Sequence, residues 1–382
     1  MHIAIFGCGQ LAQMTAKAGI ELGLRFSFVA DPGEDPRCVA GLGEVFTLSE
    51  ATEADTLFEH LGKPDIITVE KEMVDVDLLD ALSALTAIRP GGQAIHIAQN
   101  RIREKHFLRE HGIPTADFAV LGTLSQLESL TRSFHYPLYI KAAESGYDGY
   151  HQWRIQKPED IKQSALVKAM EEGVSLIAEK HVPHSRELSI IAARDARGDI
   201  ALYSIMENRH EDGVLISTIA PAPNIAAALE SQAQQFMKTL LTNLDYIGVL
   251  TMECFETDQG IVVNELAPRV HNSGHWTIEG SQTSQFENHC RAIADMGLGK
   301  TTMPAMAGIV NILGQHGNRS KLSNDSVYYH DYHKEERARR KLGHVTVVAP
   351  ELNQLKQSLN RVLVSLYGEH YQTLDLSDGK TY

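Results

Sequence analysis

The sequence predicts a protein of mixed α and β structure in more than one domain, opening with a parallel, doubly wound α/β unit. Three observations carry this. At about 150 residues per domain, 382 residues suggest two or three domains. The N-terminus reads as strand, glycine turn and helix, and further strands alternate with helices. Later, two β-rich segments flank Asp258-Gln259-Gly260 as a hairpin would.

Ile3 to Phe6 is the first strand, Gly7-Cys8-Gly9 the turn, and Met14 to Leu22 has helix-like composition. Arg25 to Ala30 and Asp65 to Val69 are further strands, the first ending at Asp31-Pro32 and the second leading into Glu70-Lys71-Glu72. Arg89-Pro90-Gly91-Gly92 is a breaker cluster that closes the first unit. A polar, basic stretch from Gln99 to His111 stops at Gly112-Ile113-Pro114. Tyr136 to Lys141 reads as a strand with a lysine at its end, followed by a glycine-bearing loop. Ser175 to Val182 and Glu187 to Ala193 are β-rich. The hairpin strands, Gly248 to Phe255 and Gly260 to Leu266, carry one glutamate each. From about Met303 onward come short strands and the basic run Lys334 to Lys341.

Composition narrows the function. Apolar residues make up 43% and charged ones 22%, an ordinary folded balance. The net charge of −14 disfavours nucleic acid and anionic membranes, so any anionic ligand needs a local basic site. Four scattered cysteines with no C-x-x-C pair indicate neither a disulfide framework nor a cysteine zinc site. No apolar run approaches the roughly 18 residues of a membrane span, and a cytoplasmic protein is expected.

Four constellations could carry chemistry. Gly7-x-Gly9-x-x-Ala12, with Asp31 about twenty residues on, nearly matches a dinucleotide fingerprint, although the same turn serves other Rossmann-like domains. Glu253 and Glu265, on adjacent strands, would repel unless a cation lies between them, and magnesium with nucleotide phosphates suits such a pair. The alternative is two solvated carboxylates. Arg269, His271 and Asn272 follow at once and could hold a small anion; His271 and His275 invite zinc, but no third ligand is nearby. Lys141 and the loop after it suit a polyphosphate, and the run Lys334 to Lys341 is either a phosphate clamp or a solvated face.

Together, Asn264 to Thr277, Gln285-Phe286-Glu287-Asn288-His289, Ser145 to Gly149 and Arg340 to His344 make the chain resemble the N5-carboxyaminoimidazole ribonucleotide synthases over nearly its whole length. These are ATP-grasp enzymes of de novo purine biosynthesis, the ATPase subunit of bacterial phosphoribosylaminoimidazole carboxylase. The resemblance implies a Rossmann-like preATP-grasp domain (1–100), an ATP-grasp domain of two α+β lobes (101–302) and a small β-rich C-terminal domain (303–382). It also implies that ATP, bicarbonate and 5-aminoimidazole ribonucleotide react through carboxyphosphate, in a magnesium-dependent homodimer.

The resemblance further implies roles by position. Arg101, Lys141 and the loop Gly146, Tyr147, Asp148, Gly149, Tyr150, His151 and Gln152 hold ATP phosphates. Glu179, Lys180, His181 and Val182 form the adenine linker, Glu187 takes the ribose, and His210 and Asn264 complete the pocket. Glu253 and Glu265 become magnesium ligands, while Arg269, His271 and Asn272 hold bicarbonate and the carboxyphosphate oxyanion. Gln10, Leu11, Glu70, Tyr147, Asp148, Lys334 and Arg340 fall to the ribonucleotide. The chain departs from the family pattern where Cys8, Ala12 and Gln13 replace Gly, Gly and Arg, where Tyr150-His151 replaces Arg/Lys-Gly, where His333 replaces Gly, and where Ala338-Arg339 replaces Pro-Gly. The extra base Arg339 is a candidate replacement for the one missing at position 150. These departures leave a related ligase with another phosphoribosyl amine as the alternative.

Overall fold

A computed structural model describes residues 1–49, 52–144, 151–317, 322 and 326–368. Ile3, Ala4, Ile5 and Phe6 are all buried, on both faces of β1 (His2–Phe6), as in a strand of a parallel sheet covered on both sides. Around it lie α1 (Gln10–Glu21), β2 (Arg25–Ala30), β3 (Gly43–Thr47), α2 (Ala54–His60), β4 (Ile66–Val69), α3 (Val76–Ser83), β5 (Ala87–Ile88) and α4 (Gly92–Ala98). Their sheet is parallel throughout, in the order β3-β2-β1-β4-β5. Helix α5 (Arg101–Glu110) follows, started by Asn100, whose side chain accepts from the N–H groups of Ile102 and Arg103.

The small lobe comprises β6 (Phe118–Leu121), α6 (Leu124–Phe134), β7 (Leu138–Ala142), β8 (Gln152–Ile155), α7 (Ser164–Glu171) and β9 (Leu176–Lys180), its antiparallel sheet ordered β6-β9-β7-β8. The large lobe begins with β10 (Arg186–Arg194), β11 (Ile200–Leu202), β12 (Met206–Glu211), β13 (Val214–Ala220), α8 (Ala227–Asn243), β14 (Gly248–Thr257) and β15 (Gly260–Ala267). It continues through α9 (Thr277–Gly280), α10 (Gln285–Ile293), β16 (Met306–Leu313), β17 (Val327–Asp331), β18 (Lys341–Ala349) and α11 (Leu352–Tyr367). The path β15-β14-β10-β12-β13-β16-β18-β17, with β11 beside β10, is one sheet.

The C-terminal region is β-rich as expected, yet it forms no sheet of its own. β16 pairs antiparallel with β13, from Ser217 opposite Val310 to Ala220 opposite Ala307, and so extends the large-lobe sheet. Ile216 and Ile219 of β13 share one core with Val310, Val345 and the α11 residues Leu355, Leu359 and Leu363. An isolated three-stranded sheet would have left the β16 edge unpaired.

Candidate active site

The predicted hairpin is present, and its register sets Glu253 of β14 directly opposite Glu265 of β15 at a β-bulge. Burial, with Glu265 and Glu187 adding to it and His210 opposing it, raises Glu253 to about 7. Glu187, Asn208, His210, Glu253 and Asn264 line one cavity. Glu187 and His210 Nδ1 are hydrogen-bonded; burial opposes both charges, yet each partner pulls the other toward its charged form. Among the described residues no three His, Cys, Asp or Glu side chains converge on one metal position. A carboxylate pair fits magnesium, which commonly takes one or two protein carboxylates and completes its shell with phosphate and water.

The phosphate and adenine candidates meet this hairpin from α5 and the small lobe. Arg101 donates from Nη1 to Ala142 O at 3.0 Å and lies 3.9 Å from Glu265. Lys141 Nζ is 2.7 Å from Glu179 Oε2, and Lys105 Nζ is 3.1 Å from Glu179 Oε1. Burial alone would raise Glu179, but the two lysines bring it down to about 2. The Glu179 side chain is therefore committed to lysines, leaving its backbone to the linker role. Lys180 lies at the end of β9, 3.9 Å from Asp117, and the Val182 carbonyl accepts from His184 Nδ1 at 2.8 Å. The His181 ring, 5.9 Å from Tyr139, is shifted below its ordinary value by burial. Gln152 pairs with Lys141 across β7 and β8, and His151 stacks on Trp153. Gly146, Tyr147, Asp148, Gly149 and Tyr150 lie outside the described residues.

The anion candidates split. Arg269 is held by Glu72, 2.7 Å from its Nη2, and donates to Val270 O. His271 Nε2 points at Glu253 Oε1, 3.5 Å away. Its Nδ1 ends a buried relay: Thr218 Oγ1 donates to Asn208 Oδ1, Asn208 Nδ2 to Ser189 Oγ, and Ser189 Oγ to Ser273 Oγ, each at 2.9 Å. The Ser273 N–H donates to His271 Nδ1 at 3.3 Å, which makes Nδ1 an acceptor, and Ser273 Oγ donates to the same nitrogen at 2.9 Å. The proton of the neutral ring then sits on Nε2, and burial together with Arg269 holds His271 well below its ordinary pKa. Asn272 departs from expectation. Its amide is buried in a reciprocal pair with Asn311, at 3.0 and 2.7 Å, so the side chain is not offered to an anion.

On the ribonucleotide side, Glu70 accepts from the N–H groups of Gly9 and Ala12 at the start of α1. A dinucleotide phosphate would need those same donors. Asp31, the would-be ribose ligand, is paired with Lys71, so the dehydrogenase reading fails on both counts. Lys334 Nζ donates to Gln10 Oε1, joining the basic run to the glycine turn. Arg340 lies 4.0 Å from Asp35. Leu11 is buried among Met14, Cys38 and Tyr332 and shapes the turn from within. Arg339 donates to Asp212 O at 2.7 Å, on the β12–β13 turn, while position 150 lies outside the described residues. Ser189, Asn208, Ser273, Asn311, Glu104 and Lys105 escaped the sequence reading; Ser, Asn and Lys inside strands or a polar helix resemble solvated residues until packing is known.

The sequence matches the ribonucleotide synthetase preATP-grasp domain over residues 1–99, the ATP-grasp domain over 106–286 and the phosphoribosylaminoimidazole carboxylase C-terminal domain over 307–358. The N5-carboxyaminoimidazole ribonucleotide synthase of Aquifex aeolicus is 36% identical over 373 residues, 96% of this chain and 98% of that one. Its Bacillus subtilis counterpart is 31% identical over 366 residues, 94% of both chains. Among solved structures, the Thermus thermophilus N5-carboxyaminoimidazole ribonucleotide synthetase superposes with a TM-score of 0.87 at 36% identity, covering 96% of this chain and 99% of that one. The Aspergillus clavatus N5-carboxyaminoimidazole synthase in complex with ADP and 5-aminoimidazole ribonucleotide gives 0.85 at 28% identity, over 96% and 98%.

Proposed function

Because the chain belongs to the N5-carboxyaminoimidazole ribonucleotide synthase family of ATP-grasp ligases, we propose how its own residues divide the work of that reaction. The enzyme uses ATP and bicarbonate to carboxylate 5-aminoimidazole ribonucleotide in purine biosynthesis, releasing ADP and phosphate. A bicarbonate oxygen attacks the γ-phosphorus and ADP leaves. The substrate amine then takes the carboxyl group from carboxyphosphate, directly or as carbon dioxide; phosphate departs and the amine loses a proton.

Arg101 and Lys141 hold phosphates, the backbone of the linker from Glu179 to Val182 meets adenine, and Glu187, fixed by His210, takes the ribose. Glu253 and Glu265, with phosphate oxygens, would hold magnesium, which neutralises charge on the phosphates. Arg269 and the Nε2–H of His271 face bicarbonate and the carboxyphosphate oxyanion; the Asn272 side chain has no part in this. Glu70, Gln10, Lys334 and Arg340 form the ribonucleotide side.

The observation carrying this reading is that the relay aims His271 Nε2 at Glu253, the carboxylate facing Glu265. His271→Asn should lower ribonucleotide-dependent ADP release by about 100-fold while ADP affinity stays near that of the wild type. Unchanged turnover would remove His271 from the chemistry. Family likeness supports a homodimer, checked by light scattering. A cytoplasmic location fits four free, buried cysteines and a purine-biosynthetic role. No described helix is long and apolar enough to cross a membrane.

A further inference from the structure

Helix α5 carries two consecutive side chains, Glu104 and Lys105, that are 2% and 1% exposed and lie where the two lobes meet. β15 is an edge strand, so the outward backbone groups along it need partners other than a strand. At one end the 114–115 segment supplies them, Val263 N–H donating to Pro114 O at 2.8 Å. Further along, α5 takes over: Leu266 N–H donates to Glu104 Oε1, and Lys105 Nζ donates to Asn264 O at 3.3 Å. Glu265 thus has both chain neighbours bound by adjacent residues of one helix. Lys105 Nζ also donates to Thr115 Oγ1 at 3.0 Å and pairs with Glu179, the carboxylate shared with Lys141.

Resting on the nucleotide reading above, we propose that Glu104 and Lys105 are positioning residues that fix Glu265 and Asn264 of the large lobe against Lys141 and Glu179 of the small lobe, so that the nucleotide and its cation engage both lobes at once. Geometry and charge agree. Glu104 and Lys105 pin the backbone on either side of Glu265. Two lysines sharing one carboxylate leave a net positive charge for the phosphates. Without Lys105, Glu179 and Lys141 would neutralise each other, and that charge would disappear.

The test is calorimetric ADP binding at saturating magnesium, together with KM for each substrate and nucleotide-free melting, for Lys105→Met, Lys105→Arg, Glu104→Leu and Glu104→Gln. Lys105→Met and Glu104→Leu should weaken ADP by about 10-fold to 100-fold, the range found when groups that orient metal ligands are removed. KM for ATP should rise in parallel, while KM for 5-aminoimidazole ribonucleotide stays within about 2-fold, because among the described residues no ribonucleotide candidate touches either residue. Glu104→Gln, which keeps an acceptor for Leu266 N–H, should restore most of the ADP affinity. If Lys105→Met does not fold, Lys105→Arg gives the same readout, since a planar guanidinium keeps the charge but cannot reproduce the three contacts of an ammonium. Folded variants that bind ADP as the wild type does, or that raise both KM values equally, overturn the positioning role alone. A wild type that binds no ADP overturns the nucleotide reading beneath it.

Discussion

At the scale of single residues, the most consequential group is one that touches no substrate. Ser189, fully buried on β10, passes the relay from Asn208 to Ser273 and so orients the hydroxyl that donates to His271 Nδ1. Ser189→Ala should lower kcat by about 10-fold with little change in KM for ATP, because it loosens the ring without touching the nucleotide. A loss confined to stability would make the serine merely structural. Glu179 gives a pH prediction. Its carboxylate lies at about 2 in the fold against an unfolded value of about 4.3, so its stabilisation is present above that unfolded value. It is lost as pH falls from about 4.3 toward about 2. Melting between pH 5.5 and 3 should drop more steeply for the wild type than for Glu179→Gln, and parallel curves would disprove the linkage.

At the scale of elements, three departures from family glycines fall on a left-handed backbone, His151 at φ 53°, His333 at φ 57° and Arg339 at φ 63°, whereas Cys8 and Ala12 do not. These turns hold a side-chain-bearing residue in a conformation that glycine adopts without strain. His333→Gly should therefore raise stability, by about 0.5–1 kcal/mol once the greater unfolded-state freedom of glycine is deducted, measured as an upward shift in denaturant midpoint. A lower midpoint would mean that the His333 ring earns its place. The same scale shows what the sequence could disclose. Strands β1, β2 and β4 and the β14–β15 hairpin were legible because their apolar runs are bounded at one end or both by glycine, proline or aspartate. Membership of β16 to β18 in the large-lobe sheet was not, because pairing between β13 and β16 joins residues about ninety apart, and local pattern carries no information on long-range partners. The glutamate pair was legible by spacing. The pairing of Asn272 with Asn311 was not legible, because Asn272 sits in the turn after β15 and Asn311 lies on β16, about forty residues further on.

At the scale of the whole molecule, the sheet from β15 to β17 makes the C-terminal region part of the catalytic body. Truncation after residue 302 would bare the β13 edge and strip Ile216 and Ile219 of their partners on β16, β18 and α11. The shortened chain should aggregate or lose ADP binding, and a soluble, ADP-binding fragment would show the region to be dispensable. On the proposed assignment, the net charge of −14 is reconciled with three anionic ligands by local opposing charge in Arg101, Lys141, Arg269, Lys334 and Arg340. The glycine turn shows the same economy inward. With Glu70 seated on the Gly9 and Ala12 amides, the chain carries a tethered competitor for its own anion pocket. Its effective concentration is on the order of millimolar or more, so a free dinucleotide would have to outcompete part of the protein itself, and a fingerprint that looks like an invitation acts as an occupied seat.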